Sequence, residues 1–289
     1  MPRAVDHLVI AAYDLPEQEA LYRRLGFQVG ARNRHPWGTE NHIVQFDGAF
    51  LELIGLGDAF AAPHPKEAVY PFAGFLAGYL GKREGLAMMV MRSADAEADR
   101  RGFAAAGIGG LARFDFGRKG RRPDGREVEV AFSLAFAASP ALPETGFFVC
   151  QQHFPENFWS RAAQVHPNDA LGVAGLTLVS DQPAEAAPFL AAFLNAPAQT
   201  IDGGFAFAAD GTRVECLTSP GFAALYGAAA AGPGLAAMRI AVADLDAAQT
   251  RLAEAGIVAR RRGGMAIVDA GTAMGSLIAF VAAGPVRSP

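Results

Sequence analysis

The stretch VDHLVIAAYDLPEQEALYRRLGF, residues 5–27, sets the reading of the whole chain. Residues 5–12 form an apolar run of strand character, and His7 stands third in it. Asp14 follows at a helix N-cap position, with Pro16 in the first turn and Glu17 three residues after the cap. That is the spacing of a capping box, which satisfies amide donors left open by the first helical turn. The helix reads to about Leu25, where Gly26 ends it. Strands at 27–34, 41–47 and 49–56 come next, and Asp47-Gly48 joins the last two as a hairpin turn. The unit is βαβββ. Its first strand carries His7, and its last, FLELIG (50–55), carries Glu52, each in an apolar setting.

The same grammar returns three times. GLAMMVMRSADAEADRRGFAAAGI (85–108), GVAGLTLVSDQPAEAAPFLAAFLN (172–195) and LAAMRIAVADLDAAQTRLAEAGI (235–257) each read as strand then helix, with more strands behind. Asp14, Asp95, Asp181 and Asp244 each follow the opening strand, and the spacings Asp14–Phe27, Asp95–Ile108 and Asp244–Ile257 are equal. One such unit cannot bury both faces of its sheet, so units must pair. The expected fold is α+β, with curled mixed half-barrel sheets and four modules in two domains. The first domain spans 1–155, a packed connector 156–171, and the second domain 172–289.

Composition narrows the function. The 289 residues carry a formal net charge of -4, which offers no footprint for a polyanion such as nucleic acid. Cys150 and Cys216 are the only cysteines, too few for a disulfide scaffold, and no CxxC pair exists. No apolar run reaches the roughly 18–20 residues of a membrane span, and no secretory h-region follows Met1. The expectation is a cytoplasmic protein, monomer or homodimer, that meets a small-molecule ligand and neither membrane nor nucleic acid. GxSxG, P-loop and dinucleotide fingerprints are missing from the sequence.

Four βαβββ units, with His7 in a first strand and Glu52 in a fourth, resemble the vicinal oxygen chelate superfamily. That group includes glyoxalase I, extradiol dioxygenases, fosfomycin-resistance enzymes and bleomycin-binding (bleomycin resistance) proteins. HPWGTENHIVQFDGAFLELIG (35–55) resembles more specifically the glyoxalase-like domain group, over roughly residues 5–155. The resemblance implies a divalent metal ion (Zn, Fe, Mn, Ni or Mg) in a cupped sheet, held by His7 and Glu52, with Glu52 doubling as a catalytic base. A lyase or isomerase acting on a small vicinal-oxygen substrate, carbonyl or enol, is the implied activity. A dioxygenase is the less favoured variant. A metal-free protein that sequesters a hydrophobic or aromatic molecule is the alternative.

Strand alternation places His7, Val9 and Ala11 on one face, and Phe50, Glu52 and Ile54 on one face of theirs. In the second unit, counting back from Asp95 puts Met88 at the place of His7, and a thioether is a poor ligand for a hard ion. GFFVCQQH (146–153) admits two registers. Cys150 and Gln152 face inward in one, with Cys150 at the place of Glu52 if Phe148 matches Phe50; Gln151 and His153 face inward in the other. Trp37 and Asn41, with His35 and Thr39, form a candidate pocket wall. FGRKGRRPDGR (116–126), with Arg118, Lys119, Arg121, Arg122 and Arg126, reads as a solvated hairpin tip or as an anion clamp. In the third and fourth units Ala174 and Ala237 replace the histidine and Glu215 matches Glu52, so the second half reads as a metal-free partner.

Overall fold

The computed structural model describes residues 1–58, 72–121 and 127–284, with the side chains of 120 and 121 left aside. The first half begins with β1 (Val5–Ala11), α1 (Leu15–Arg24), β2 (Asn33–Arg34), β3 (Thr39–Gln45) and β4 (Phe50–Leu56). A helix, α2 (Phe72–Leu80), then leads to β5 (Gly85–Arg92), α3 (Ala96–Ala105), β6 (Phe114–Arg121), β7 (Glu127–Ala137) and β8 (Gly146–Gln152). These strands make one eight-stranded sheet in the order β2-β3-β4-β1-β5-β8-β7-β6. Inside each module the first and last strands pair in parallel, β1 with β4 and β5 with β8. The modules join where β1 meets β5 antiparallel.

After a short helix α4 (Pro155–Phe158) and a 3-10 turn at Arg161–Gln164, the pattern repeats. It runs through β9 (Ala170–Val179), α5 (Pro183–Leu194), β10 (Gln199–Ile201), β11 (Gly204–Ala209), β12 (Thr212–Leu217) and α6 (Ser219–Tyr226). β13 (Gly234–Val242), α7 (Leu245–Glu254), β14 (Arg260–Arg262), β15 (Met265–Val268) and β16 (Leu277–Ala282) complete it. The second sheet has the matching order β10-β11-β12-β9-β13-β16-β15-β14.

Local chemistry accounts for the elements. Asp14, Asp95 and Asp244 cap α1, α3 and α7 by accepting amide hydrogen bonds in the first turn. Asp181 does not act this way. α5 opens at Pro183 with Gln182 at the cap and no side-chain cap bond, one residue later than its aspartate suggests. Gly26 and Gly48, at φ +89° and +78°, turn the chain after α1 and between β3 and β4. The strand expected over 27–34 pairs only at Asn33–Arg34. Phe27 and Val29 are spent instead on the core, where Phe27 stacks on Phe280 of the second sheet.

That contact shows where the core sits. The convex faces of both sheets and the helices between them form one apolar cluster. Phe147 of β8 packs edge-on against Phe189 of α5 at 4.8 Å and Phe193 at 5.3 Å. His166 pins the connector: its Nδ1 accepts from the Gln28 amide, and its Nε2 donates to the Gln45 carbonyl. The concave faces hold two separate clusters, one per sheet. No helix among the described residues is long and apolar enough to cross a membrane.

Because Phe147 is buried between the two halves, Phe147→Ala should cost about 3–5 kcal/mol. Urea unfolding should show one cooperative transition moved to lower denaturant. A separate, unmoved transition from the second sheet would contradict the shared core.

Candidate functional site

Strand pairing builds the site. His7 lies beside Phe50 and Val9 beside Glu52, so alternation sends the side chains of His7 and Glu52 to the concave face. On the other edge of β1 the register with β5 slips between Val5 and His7, which leaves Asp6 as an unpaired extra residue. Such a bulge turns successive side chains toward the same side. Asp6 thus meets His7: Asp6 Oδ1 lies 2.6 Å from His7 Nδ1. A carboxylate only accepts, so Nδ1 carries a proton, and in the neutral ring this leaves the lone pair on Nε2. Nε2 faces Glu52 Oε2 at 3.9 Å. The other oxygen of Asp6 accepts from Gln152 Nε2 at 3.0 Å. The imidazole lies flat on Phe50, centroids 4.3 Å apart, which fixes the plane of the ring.

Glu52 has company on its far side. Asn41 Nδ2 donates to Glu52 Oε1, and His35 Nε2 lies 3.7 Å from that oxygen. His35 is held by Thr39 Oγ1 at Nδ1, 2.8 Å away, and by stacking on Trp37 at 4.7 Å. Burial, helped by the Arg118 charge and opposed by Glu52, holds the His35 imidazole below the ordinary value of 6.5. The side chains surround a small, partly open cavity of about 60 Å³. Phe72, Phe114, Phe116, Phe132, Phe148 and Phe158 supply aromatic walls, and Arg118 reaches in from β6.

The register of the 146–153 segment is settled. Phe148 and Cys150 face the cavity. Gln151 turns away to accept from the Ala96 amide at the start of α3. His153 lies outside the cup, bonded to Ser133 Oγ at 2.8 Å, so it is no ligand of this cavity. Gln152 sits at the back of the site on Asp6 rather than on the cavity wall. Met88 is fully buried and does not line the cavity. Met88 pairs with Gly146 as His7 pairs with Phe50, so the residue at the place of Glu52 is Phe148, two before Cys150. Trp37 and Asn41 both line the cavity.

Asp6, His7 and Cys150 also bring potential ligand atoms within 4.8 Å of one another. Both Asp6 oxygens are engaged, by His7 and Gln152, which makes Asp6 the residue that orients His7. Burial and the carboxylates of Asp6 and Glu52 push the Cys150 thiol well up, away from thiolate. Asp6 was not among the residues singled out from sequence. Its only sequence signal is its place next to His7, since the bulge depends on the pairing of β1 with a strand eighty residues on.

The second cup is closed. β9 pairs Gly175 with Arg213 and Thr177 with Glu215, so Gly175, not Ala174, stands at the place of His7. The late start of α5 accounts for the shift of one. Glu215 is buried and neutralised by Arg213 Nε at 2.7 Å and Arg239 at 3.0 Å. Gly175 leaves room for the Arg239 guanidinium, which would lie 2.1 Å from a Cβ there. Phe222 and Tyr226 of α6 fill the remaining space.

Two sheets of paired βαβββ modules, with His7 and Glu52 on one concave face, are of the vicinal oxygen chelate class. A family model described as a glyoxalase-like domain matches residues 5–194, and the chain belongs to that family. The match runs beyond residue 155 to take in β9 and α5. Solved structures of similar fold include a hypothetical protein from Staphylococcus aureus, at TM-score 0.68 and 10% identity over 97% of this chain and 100% of that one. A mutant 4-hydroxymandelate synthase from Streptomyces coelicolor aligns at TM-score 0.64 and 11% identity, over 100% of this chain and 94% of that one. A Mn(II)-bound glyoxalase from Novosphingobium aromaticivorans aligns at 0.57 and 11%, over 98% and 83%. Identities this low speak for the fold alone. No curated protein matches the sequence.

A histidine whose value is lowered by burial takes up its proton more readily unfolded than folded. Stability contributed by neutral His35 is therefore present above 6.5 and is lost as pH falls through its folded value. In an NMR titration the His35 ring protons should move with a midpoint below 6.5. A midpoint above that value would contradict the burial described.

Proposed function

We propose that this protein is a glyoxalase-like, divalent-metal-dependent enzyme acting on a small substrate with vicinal oxygens, in the manner of a lyase or isomerase. The observation that carries the reading is the approach of His7 Nε2 to Glu52 Oε2, 3.9 Å apart, with the proton of His7 committed to Asp6 on the other nitrogen. A neutral imidazole backed by a carboxylate is the usual arrangement of a metal-binding histidine. The donor set fits a hard or borderline ion: imidazole and carboxylate from His7 and Glu52, with His35 beside Glu52 and the unpartnered Asn41 Oδ1 on the same wall. When bound, the ion would polarise vicinal substrate oxygens as a Lewis acid.

The residues of the chain have separate tasks in this reading. Asp6 keeps His7 in one tautomer and Phe50 keeps its ring in one plane. Glu52, whose carboxylate faces both histidines, is the group placed to accept a substrate proton. Asn41 fixes the orientation of that carboxylate. The phenylalanine walls exclude water and strengthen charge interactions within the cup. They also favour the second reading, a metal-free site for an aromatic compound, which the same experiment addresses.

Elemental mass spectrometry on untagged protein, purified without chelator, should find near-stoichiometric divalent metal. His7→Ala and Glu52→Ala should each lose it while keeping a folded circular-dichroism spectrum. Protein free of metal, with no rise in Tm on adding Zn(II), Mn(II), Ni(II) or Mg(II), would overturn the enzyme reading in favour of sequestration.

A further inference from the structure

Arg118 is at odds with its neighbours in the hairpin. Lys119 points to solvent, whereas Arg118 is half-buried and lines the aromatic cup. Its guanidinium makes no hydrogen bond or ion pair with any described residue. The nearest acid that it senses is Glu52, which lies beyond ion-pair distance and is already occupied by Asn41. Burial lowers the Arg118 value, so the cation sits in a place that does not favour charge. A half-buried charge without a partner is costly to keep. In the second cup the comparable acid, Glu215, has two arginines on it, which shows how this fold pairs the charges when the cavity is closed. Two more polar atoms on the first cavity's wall are buried and unpartnered, the Trp37 Nε1–H donor and the Asn41 Oδ1 acceptor; Asn41 itself is only 4% exposed.

We infer that the cup binds a flat ring bearing a carboxylate, with Arg118 as the carboxylate's partner and the ring held between the phenylalanine walls. The inference deepens the proposed function, and rests on it for the direction of the ring's vicinal oxygens toward His7 and Glu52 and for the charge balance of the cup; the pairing of Arg118 with the carboxylate stands on Arg118's own surroundings. Several observations converge. A guanidinium fork matches the two oxygens of a carboxylate in plane. Phe114 and Phe116 flank the Arg118 segment on β6, and Phe132 faces them from β7, so the charge stands at the edge of an aromatic slot. Trp37 stacks edge-on to Phe114 and Phe116, at 5.6 and 5.2 Å, and offers its N–H as a second donor. With a divalent ion in place, Arg118 and the ion against Asp6 and Glu52 leave the cup one positive charge in excess, which a monoanion cancels. A phosphate dianion would overshoot this balance and find one fork where it needs more donors.

Isothermal calorimetry with benzoate and its neutral isostere benzamide tests the inference. The wild type should bind benzoate about ten- to a hundredfold more tightly than benzamide, as expected of a charge-assisted pair. Arg118→Met should abolish that preference without lowering Tm, because it removes an unneutralised charge. Arg118→Lys, which keeps the charge and loses the fork, should keep part of it. 3,4-Dihydroxybenzoate separates this claim from the metal reading. Its two hydroxyls should tighten binding in a manner lost in His7→Ala, while the Arg118 dependence persists in that variant. If the hydroxyls add nothing, the metal reading fails and the carboxylate site stands on the benzoate result. Equal affinity for benzoate and benzamide, no binding of benzoate, or a preference unchanged in folded Arg118→Met would each overturn the carboxylate site.

Discussion

Strand β1 is the member on which the site depends. One edge bonds in parallel to β4, and that register alone decides that Glu52 faces the cavity with His7. The other edge joins β5 antiparallel and contains one residue too many. That extra residue, Asp6, is fully buried and turns its carboxylate onto His7. Burying a carboxylate is unfavourable unless its oxygens are satisfied. Asp6 satisfies both, through His7 and Gln152, and so ties the first and last strands of the paired modules into one polar contact beneath an aromatic cup. The orientation of His7, the exposure of its Nε2 and the approach to Glu52 all follow from that arrangement.

The two halves of the chain share topology but diverge in what they do with it. Both carry a glutamate on the strand beside the first strand of the pair, Glu52 and Glu215. In the second half a glycine replaces the histidine, two arginines neutralise the acid, and α6 places Phe222 and Tyr226 in the cup. The polar remnant is consumed internally. In the first half the helix at the same point, α2, contributes Phe72 to a wall and leaves a cavity. The second half still stabilises the first, because the convex faces share one apolar core. A chemical site and a packing partner have thus come from one repeated pattern.

Much of this was legible in the sequence, and the exceptions have physical causes. Period-two alternation groups His7 with Val9 and Ala11, and Glu52 with Phe50 and Ile54, each on one face of its own strand; that the two faces coincide is implied by the resemblance to the superfamily and follows in the structure from the pairing of β1 with β4. Repetition of the pattern suffices for paired sheets. The inward register of Phe148 and Cys150 needs the partner strand, since a slip of one residue reverses the face. Asp6 is invisible to alternation, which sends it to the opposite face from His7; only the bulge reverses that. Asp181 misleads because a proline one residue on from Gln182 starts α5 late, and the count back to Gly175 shifts with it. Arg118 stands in a run of basic residues that composition reads as a solvated tip. Its inward face depends on the pairing of β6 with β7, in which Arg118 lies beside Val130. Arg122 and Arg126 of that run lie outside the described residues.

The central claim is that Asp6 holds His7 as the Nδ1–H tautomer so that Nε2 is free for a metal ion. Nitrogen-15 NMR of histidine-labelled protein measures this directly. Before metal is added, His7 should show a protonated Nδ1 and a pyridine-like Nε2 at neutral pH. On titration with Zn(II), the Nε2 resonance should shift to the position of a metal-bound nitrogen and saturate near one equivalent, while Nδ1 keeps its proton. A His7 found as the Nε2–H tautomer, or an Nε2 signal unmoved by the ion, would contradict the account.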